Sequence, residues 1–363
     1  MKLKIKTEKL KEMVSKAVKG AGMNKLIPLT QMMAVKLEKG TLSIVTTDMT
    51  NYLYIKENKV EGEDFYAVVE VDTFSKLISK MTSENISMKL HEAVLQVIGN
   101  GKYSVPLQFD DDGEMVQYPD PLKDFKAKGK AKDIKQSTIQ TILTSIKPAL
   151  AETMENPCYT GYYLGDSVVG TDTSIINFYK SKLIDKERLV SNEVMNLLGV
   201  MDAEKIKFES NEDMVVFSTP DVVVYGRDLE GIEDFAVKQI FAYLDKDFKS
   251  MCKVSRQALL QVLDRLALFV SDYDKGGIYI TFTKEGLQIS SKESTGVEVI
   301  EYAASENFQD FTGCIDINYL QKQVKAQVGE AVEIWYGLEN IIKMVDGDVV
   351  QIIALMEDDR MEE

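Results

Sequence analysis

His91 is the only histidine in the chain. A Ser-His-Asp triad or a histidine-rich metal site needs more imidazoles than that, so those classes are excluded. His91, standing before a strand, reads as structural or exposed. No GxxxxGK[ST] run occurs, so there is no Walker-type phosphate loop. Gly161, Gly165 and Gly170 read as turn and packing glycines of a hairpin rather than as a phosphate cradle. Asp110-Asp111-Asp112 with Glu114 lacks the spacing of a calcium loop and reads as a solvated charge run. Cys158, Cys252 and Cys314 stand far apart. They form no disulfide framework and read as small core residues in a reducing compartment. No catalytic residue, metal or cofactor is expected. An enzyme using scattered carboxylates is disfavoured by the missing motifs.

What remains is charge. The chain carries 43 basic and 58 acidic residues, a net charge of −15. A uniform surface of that sign repels nucleic acid, so any such role requires segregated basic residues. Placing each amphipathic segment on a helical wheel and reading the face opposite the apolar stripe gives Lys16, Lys19, Lys76, Lys80, Arg265, Lys322 and Lys325, against Glu12 and Asp264. Solvated helix faces explain lysines in general. The reversal against the overall charge, repeated along the chain, points instead to a surface that meets phosphate. No aromatic residues are interleaved, so stacking on single-stranded bases is not indicated. Sequence-independent contact with duplex backbone fits better.

The elements that carry these residues repeat. Tyr159 to Leu164, a Gly165-Asp166-Ser167 turn and a strand from Val168 form a hairpin. A helical segment with Ile139, Ile142, Leu143 and Ile146 on one face precedes it. The same order occurs near residues 10–55 and 256–302. The landmarks Thr47-Asp48, Thr171-Asp172 and Ser291-Lys292 lie 124 and 120 residues apart, about a third of the 363-residue chain. Leu10, Met13, Val14, Ala17 and Val18 form one apolar stripe, and Phe74, Leu77, Ile78 and Met81 another, matched 120 residues on by Val194, Leu197, Leu198 and Met201. Thr7, Asp72 and Asn192 are the expected helix caps. A weaker helix from Asn318 carries Leu320, Val324 and Val328. Residues 109–134, rich in Asp, Lys, Pro and Gly, read as a linker that cannot build a core, and 226–235 as a second crossing. EDDRMEE is an acidic tail. Each third is thus an α+β unit with an antiparallel sheet whose helices cover one face. No apolar run is long enough to span a membrane, and no signal peptide is seen, so a cytoplasmic protein is expected.

This organisation resembles the bacterial sliding clamp, the beta subunit of DNA polymerase III, over the whole chain. LIPLTQMMAVKLEKGTLSIVTTD resembles the family's first hairpin, NPCYTGYYL with VVGTDTS its middle one, and VVQIIAL its terminal strand. The resemblance implies three tandem clamp units, 1–125, 126–246 and 247–363 with the acidic tail. Sheets lie outside and two helices per unit inside. Head-to-tail homodimers form a ring around duplex DNA, serving as a processivity factor for the replicative polymerase. It also implies that polymerase and clamp loader dock short peptides in an apolar cleft lined here by Tyr159, Thr171, Thr173, Ile175, Ile176, Val237, Ile341, Ile353, Ala354 and Leu355. The sequence departs from the family near that cleft. Thr173-Ser174-Ile175-Ile176 stands where a Gly-His-Arg-Leu-like run is usual, Ala354-Leu355 where a terminal proline is usual, and GIEDFAVKQ where the crossing normally carries a proline. Ile175 and Ile176 point to opposite faces of their strand. One is therefore expected in the cleft, with Ile175 as the anchor to test. The alternative reading is a repeat-built protein-binding scaffold without DNA encirclement.

Overall fold

A computed structural model describes residues 3–22, 24, 26–153, 155–270, 276–302 and 308–357; the acidic end of the chain, 358–363, lies outside them. Seven α-helices occur among the described residues: α1 (Thr7–Val18), α2 (Val71–Lys80), α3 (Gln136–Ser145), α4 (Asn192–Leu198), α5 (Val237–Phe241), α6 (Arg256–Leu266) and α7 (Ile317–Lys325). The stripes read from the sequence are the buried faces: Leu10, Met13, Val14 and Ala17 in α1, Phe74 and Ile78 in α2, Leu320 and Val324 in α7. Val328 is not part of the last stripe; it follows the end of α7 and is 73% exposed.

Helix starts differ from the expected caps. Thr7 is the first helical residue, buried, with its N–H donated to the Glu84 carbonyl (3.1 Å). Asp72 lies inside α2 and Asn192 opens α4. In each case the chain turns from a strand straight into the helix, which shifts the helix start by one residue at Thr7 and Asn192 and by two at Asp72. Side-chain caps occur later: Ser255 Oγ accepts from Ala258 N (3.3 Å), and Asp316 Oδ1 from Asn318 N (2.7 Å).

The chain forms two compact units, residues 1–139 with 193–228, and residues 140–192 with 229–363. Each holds one eight-stranded and one four-stranded antiparallel sheet. In the first unit the large sheet runs in the order Phe65–Glu70, Met32–Glu38, Thr41–Thr47, Tyr52–Glu57, Val222–Arg227, Met214–Ser218, Lys205–Ser210, Lys132–Lys135. In the second it runs Arg188–Ser191, Gly161–Leu164, Val168–Thr171, Ile175–Tyr179, Val349–Ala354, Ile341–Asp346, Ala331–Leu338, Ser250–Ser255. The four-stranded sheets end on the edge strands Lys102–Pro106 and Val297–Ile300. The fold is therefore α+β with antiparallel sheets and helices packed against them. α1 pairs with α2 and α6 with α7.

Each large sheet is joined at its middle by strands distant in sequence. Leu53 faces Val224 and Tyr52 faces Tyr225 in one; Asn177 faces Gln351 and Ile176 faces Ile352 in the other. The turn before each joining strand is the same. Thr47 Oγ1 accepts from Met49 N (2.8 Å) and donates to Asn51 O (2.6 Å), while Asp48 Oδ1 accepts from Thr50 and Asn51 N (2.9 and 2.7 Å). Thr171 and Asp172 repeat every one of these bonds with Thr173, Ser174 and Ile175. Met49 and Thr173 both take positive φ, 83° and 81°. The repeated Thr-Asp is thus a turn that folds itself through local side-chain bonds.

The stretch 109–134 does build a core, contrary to the expectation from its composition. Leu122 and Phe125 pack on Tyr52, Tyr54, Val216, Val223 and Tyr225. Tyr54 Oη donates to Asp120 (3.0 Å), Tyr66 Oη to the Val116 carbonyl (3.1 Å) and Tyr118 Oη to the Met32 carbonyl (3.1 Å). Tyrosines give this polar strap both rings to cover and hydroxyls to hold it.

Candidate functional site

The second unit's large sheet has one face toward α7 and the 147–149 turn and an opposite, outer face. Side chains alternate between them. Ile175, Asn177, Gln351 and Ile353 fall on the helix side. Ile176, Phe178, Val350 and Ile352 fall on the outer side and belong to an apolar cluster with Cys158, Tyr163, Phe235, Ile240 and Ile341. Gly170 sits on the helix side, where a Cβ would lie 2.8 Å from Ile146 and Leu150, so only glycine lets the strand come this close.

The segment after Leu229 crosses the outer face. Phe235 stacks on Tyr163 (centroids 5.1 Å, 13°) and meets Tyr159 edge-on (5.4 Å, 68°), and Phe241 of α5 meets Phe178 edge-on (5.7 Å). Between this segment, the Thr171–Ser174 turn and the end of strand Val349–Ala354 is a pocket of about 160 Å³. Tyr159, Thr171, Thr173, Ser174, Gln239 and Tyr243 supply its polar groups, and Ile176, Ile240, Ile341, Ile352 and Ala354 its apolar wall. None of these is charged. The arrangement suits an uncharged apolar side chain with hydroxyl and amide groups at the rim.

Six of the ten expected cleft residues line this pocket: Tyr159, Thr171, Thr173, Ile176, Ile341 and Ala354. Ile175 and Ile353 do not. Both are fully buried in the core beneath the helices, so Ile175 is not an exposed anchor. Strand alternation sends this cross-strand pair inward and Ile176 with Ile352 outward. Val237 packs against the outer apolar cluster without lining the pocket. Leu355 turns to the helix-side core, close to Gly313. Ser174, Gln239, Ile240, Tyr243 and Ile352 escaped the sequence reading. The signal for Ile352 was parity with Ile176. For Gln239, Ile240 and Tyr243 it was the apolar spacing of Val237, Ile240 and Phe241, and for Ser174 its place in the Thr-Asp turn.

The basic helix faces are placed in pairs, Lys16, Lys19, Lys76 and Lys80 on α1 and α2 or just beyond, and Arg265, Lys322 and Lys325 on α6 and α7. Four of the seven have carboxylate partners: Lys16 with Glu12 (2.7 Å), Lys76 with Asp72 (2.7 Å), Lys322 with Glu152 (3.4 Å), and Arg265 with Glu298. Lys19, Lys80 and Lys325 are exposed, with no carboxylate within ion-pair distance among the described residues. The free positive charge is lower than the residue count implied. The Glu12–Lys16 and Asp72–Lys76 pairs were legible from their i,i+4 spacing. The Glu152 and Glu298 pairs were not, because their partners come from distant elements.

All three cysteines are buried free thiols, and burial pushes Cys252 up to about 12. No cluster of His, Cys, Asp and Glu able to hold a metal ion occurs among the described residues. No helix there is long and apolar enough to cross a membrane.

The family model described as "DNA polymerase III beta subunit, N-terminal domain" matches residues 1–117. That match covers the first third of the chain. No curated protein sequence matches the chain significantly. Solved structures match it over nearly its whole length. The beta subunit of DNA polymerase of Streptococcus pyogenes superposes with a TM-score of 0.86 at 16% identity, covering 99% of this chain and 100% of that one. The DNA polymerase sliding clamp of Bacillus subtilis gives 0.84 at 17%, covering 99% of each. The beta subunit of Thermotoga maritima gives 0.83 at 16%, covering 98% and 99%. The chain therefore has the sliding-clamp fold over nearly its whole length, at 16–17% sequence identity to those clamps.

Proposed function

We propose that the chain is a non-catalytic DNA sliding clamp. Two copies close head to tail into a ring around duplex DNA. The ring tethers a replicative polymerase in the cytoplasm as a processivity factor and receives polymerase and clamp-loader peptides in the Ile176–Ile352 pocket. On this reading the chain is three clamp units, 1–125, 126–246 and 247–363.

One observation carries the ring. The in-chain junctions pair a hairpin's last strand with the last strand of the following repeat: Tyr52–Glu57 with Val222–Arg227, and Ile175–Tyr179 with Val349–Ala354. By the same repeat, Val297–Ile300 and Lys102–Pro106 are the corresponding strands left over, and both are sheet edges. Tyr103 (40% exposed), Val297 (49%) and Val299 (55%) stand on those edges, with Leu268 (82%) and Phe269 (52%) just after α6. An edge with exposed apolar residues is a surface that pairs with another strand. Pairing the two edges between copies repeats the in-chain junction and leaves no free end.

The scaffold reading is favoured by a different fact, the four ion pairs that neutralise four of the seven basic residues on the helix faces. The two readings separate in one experiment. Light scattering and small-angle scattering are expected to give a ring-shaped dimer. Once loaded, circular DNA is expected to retain the protein and release it on linearisation, with weak, salt-sensitive binding to short linear duplex. A compact monomer, or equal retention on circular and linear DNA, rejects the clamp.

A further inference from the structure

The helical wheel makes Arg265 a phosphate contact, but its guanidinium is already engaged. Nε donates to Glu298 Oε1 (2.7 Å) and Nη2 to Glu298 Oε2 (2.5 Å), a two-pronged pair between α6 and the edge strand Val297–Ile300. The fork of a guanidinium fixes both distance and orientation of a carboxylate, which a lysine cannot do. The pair holds the Glu298 carboxyl below its ordinary value, by the hydrogen bonds first and the charge second. A second contact joins the same elements: a Cβ on Gly296 would lie 2.9 Å from Leu266 and 3.2 Å from Phe269. The last turn of α6 and the turn after it thus hold the chain just ahead of the edge strand at Gly296 and the strand itself at Glu298. Val297 and Val299 flank Glu298 and point to the opposite side of the strand, where they are exposed.

An edge strand with one sheet neighbour has half the ladder bonds of a central strand, and holding it extended costs conformational entropy before a partner arrives. We infer that Arg265 is a positioning residue of the ring seam: through Glu298 it holds Val297–Ile300 in the extended geometry that a second copy's Lys102–Pro106 pairs with, instead of binding DNA phosphate. This rests on the ring reading above.

The test is subunit exchange and dilution-driven dissociation of full-length dimer for wild type, Arg265→Gln, Glu298→Gln and the charge-swapped double variant Arg265→Glu/Glu298→Arg, with retention on circular DNA measured in parallel. Both side chains are partly exposed, so each variant is expected to fold, which circular dichroism checks. An exposed pair of good geometry contributes modestly. Each single variant is therefore expected to weaken a seam about twofold, and a ring with two identical seams about fourfold. The swap is expected to recover most of the loss, and DNA retention to shorten in proportion to subunit exchange. Unchanged exchange in Arg265→Gln, an effect in one single variant but not the other, or a swap without recovery overturns the inference. So does shortened DNA retention at unchanged exchange, which marks Arg265 as a phosphate contact. A wild-type protein that never dimerises overturns the ring itself, a separate outcome.

Discussion

At the first in-chain junction, the pair facing the helices is Leu53 and Val224; at the second, the pair in the same register is Asn177 and Gln351. Backbone pairing and the preceding Thr-Asp turn are shared, yet the fillings are opposite. Leu53 is fully buried against Gly20. Asn177 Nδ2 instead donates to the Ser145 carbonyl and to Gln323 Oε1 (2.6 Å each), Gln351 Nε2 donates to Gln323 Oε1 (2.8 Å), and Gln327 Nε2 to Gln351 Oε1 (2.8 Å). The outer faces differ too. The first carries an aromatic group, Tyr52 edge-on to Tyr225 (6.0 Å) and Phe125 edge-on to Tyr225 (6.0 Å), under a polar strap. The second carries isoleucines beside a small neutral pocket. A strand-to-strand joint is defined by backbone bonds that tolerate either filling. Side chains then decide whether the joint is dry or polar, covered or open to a ligand. Polar fillings demand partners in fixed positions, because each unpaired buried amide is costly.

The largest effect is expected from testing which face of the second junction is core. Ile175→Asp places a carboxylate at a fully buried position. It is expected to cost about 4 kcal/mol or more and to abolish cooperative thermal unfolding. Ile176→Ser, one residue along on the pocket side, is expected to keep the fold and weaken a short apolar peptide by about 1 kcal/mol in calorimetry. If Ile175→Asp melts like wild type, the alternation placing Ile175 inside is wrong.

Exchanging the fillings comes next. Leu53→Asn brings an amide among apolar neighbours and removes packing, for an expected loss of about 3 kcal/mol in denaturant titration. Asn177→Leu leaves the Ser145 carbonyl without this donor and is expected to cost about 2 kcal/mol. Two costs near zero would mean that the joints are interchangeable and the amide cluster incidental.

The smallest effect concerns what the junctions share. Met49→Gly and Thr173→Gly each place glycine at a positive φ that disfavours a side chain. Both are expected to be neutral to stabilising, by about 0.5 kcal/mol, and somewhat more for the β-branched threonine. Destabilisation at one site alone would break the equivalence of the two turns.

Much of this architecture is encoded locally, and the sequence determined it. The Thr-Asp turn closes through bonds spanning no more than four residues, so it is legible wherever it recurs. The helix stripes follow from a period of 3.6 against a sheet, and Leu10, Met13, Phe74, Ile78 and Val194 are buried accordingly. The separation of basic from acidic residues was visible, and so were the i,i+4 partners that reduce it. Tertiary structure alone decided the rest. Ile175-Ile176 is apolar at both positions, so nothing local says which side chain points inward; the pairing with Ile353 and Ile352, about 177 residues away, fixes it. Polar composition marked 109–134 as a linker because the tyrosines that receive it lie mostly on other strands. Glu298 meets Arg265 across 33 residues for the same reason. Long-range partners are chosen by the packing of whole elements, and a local pattern carries no record of that choice.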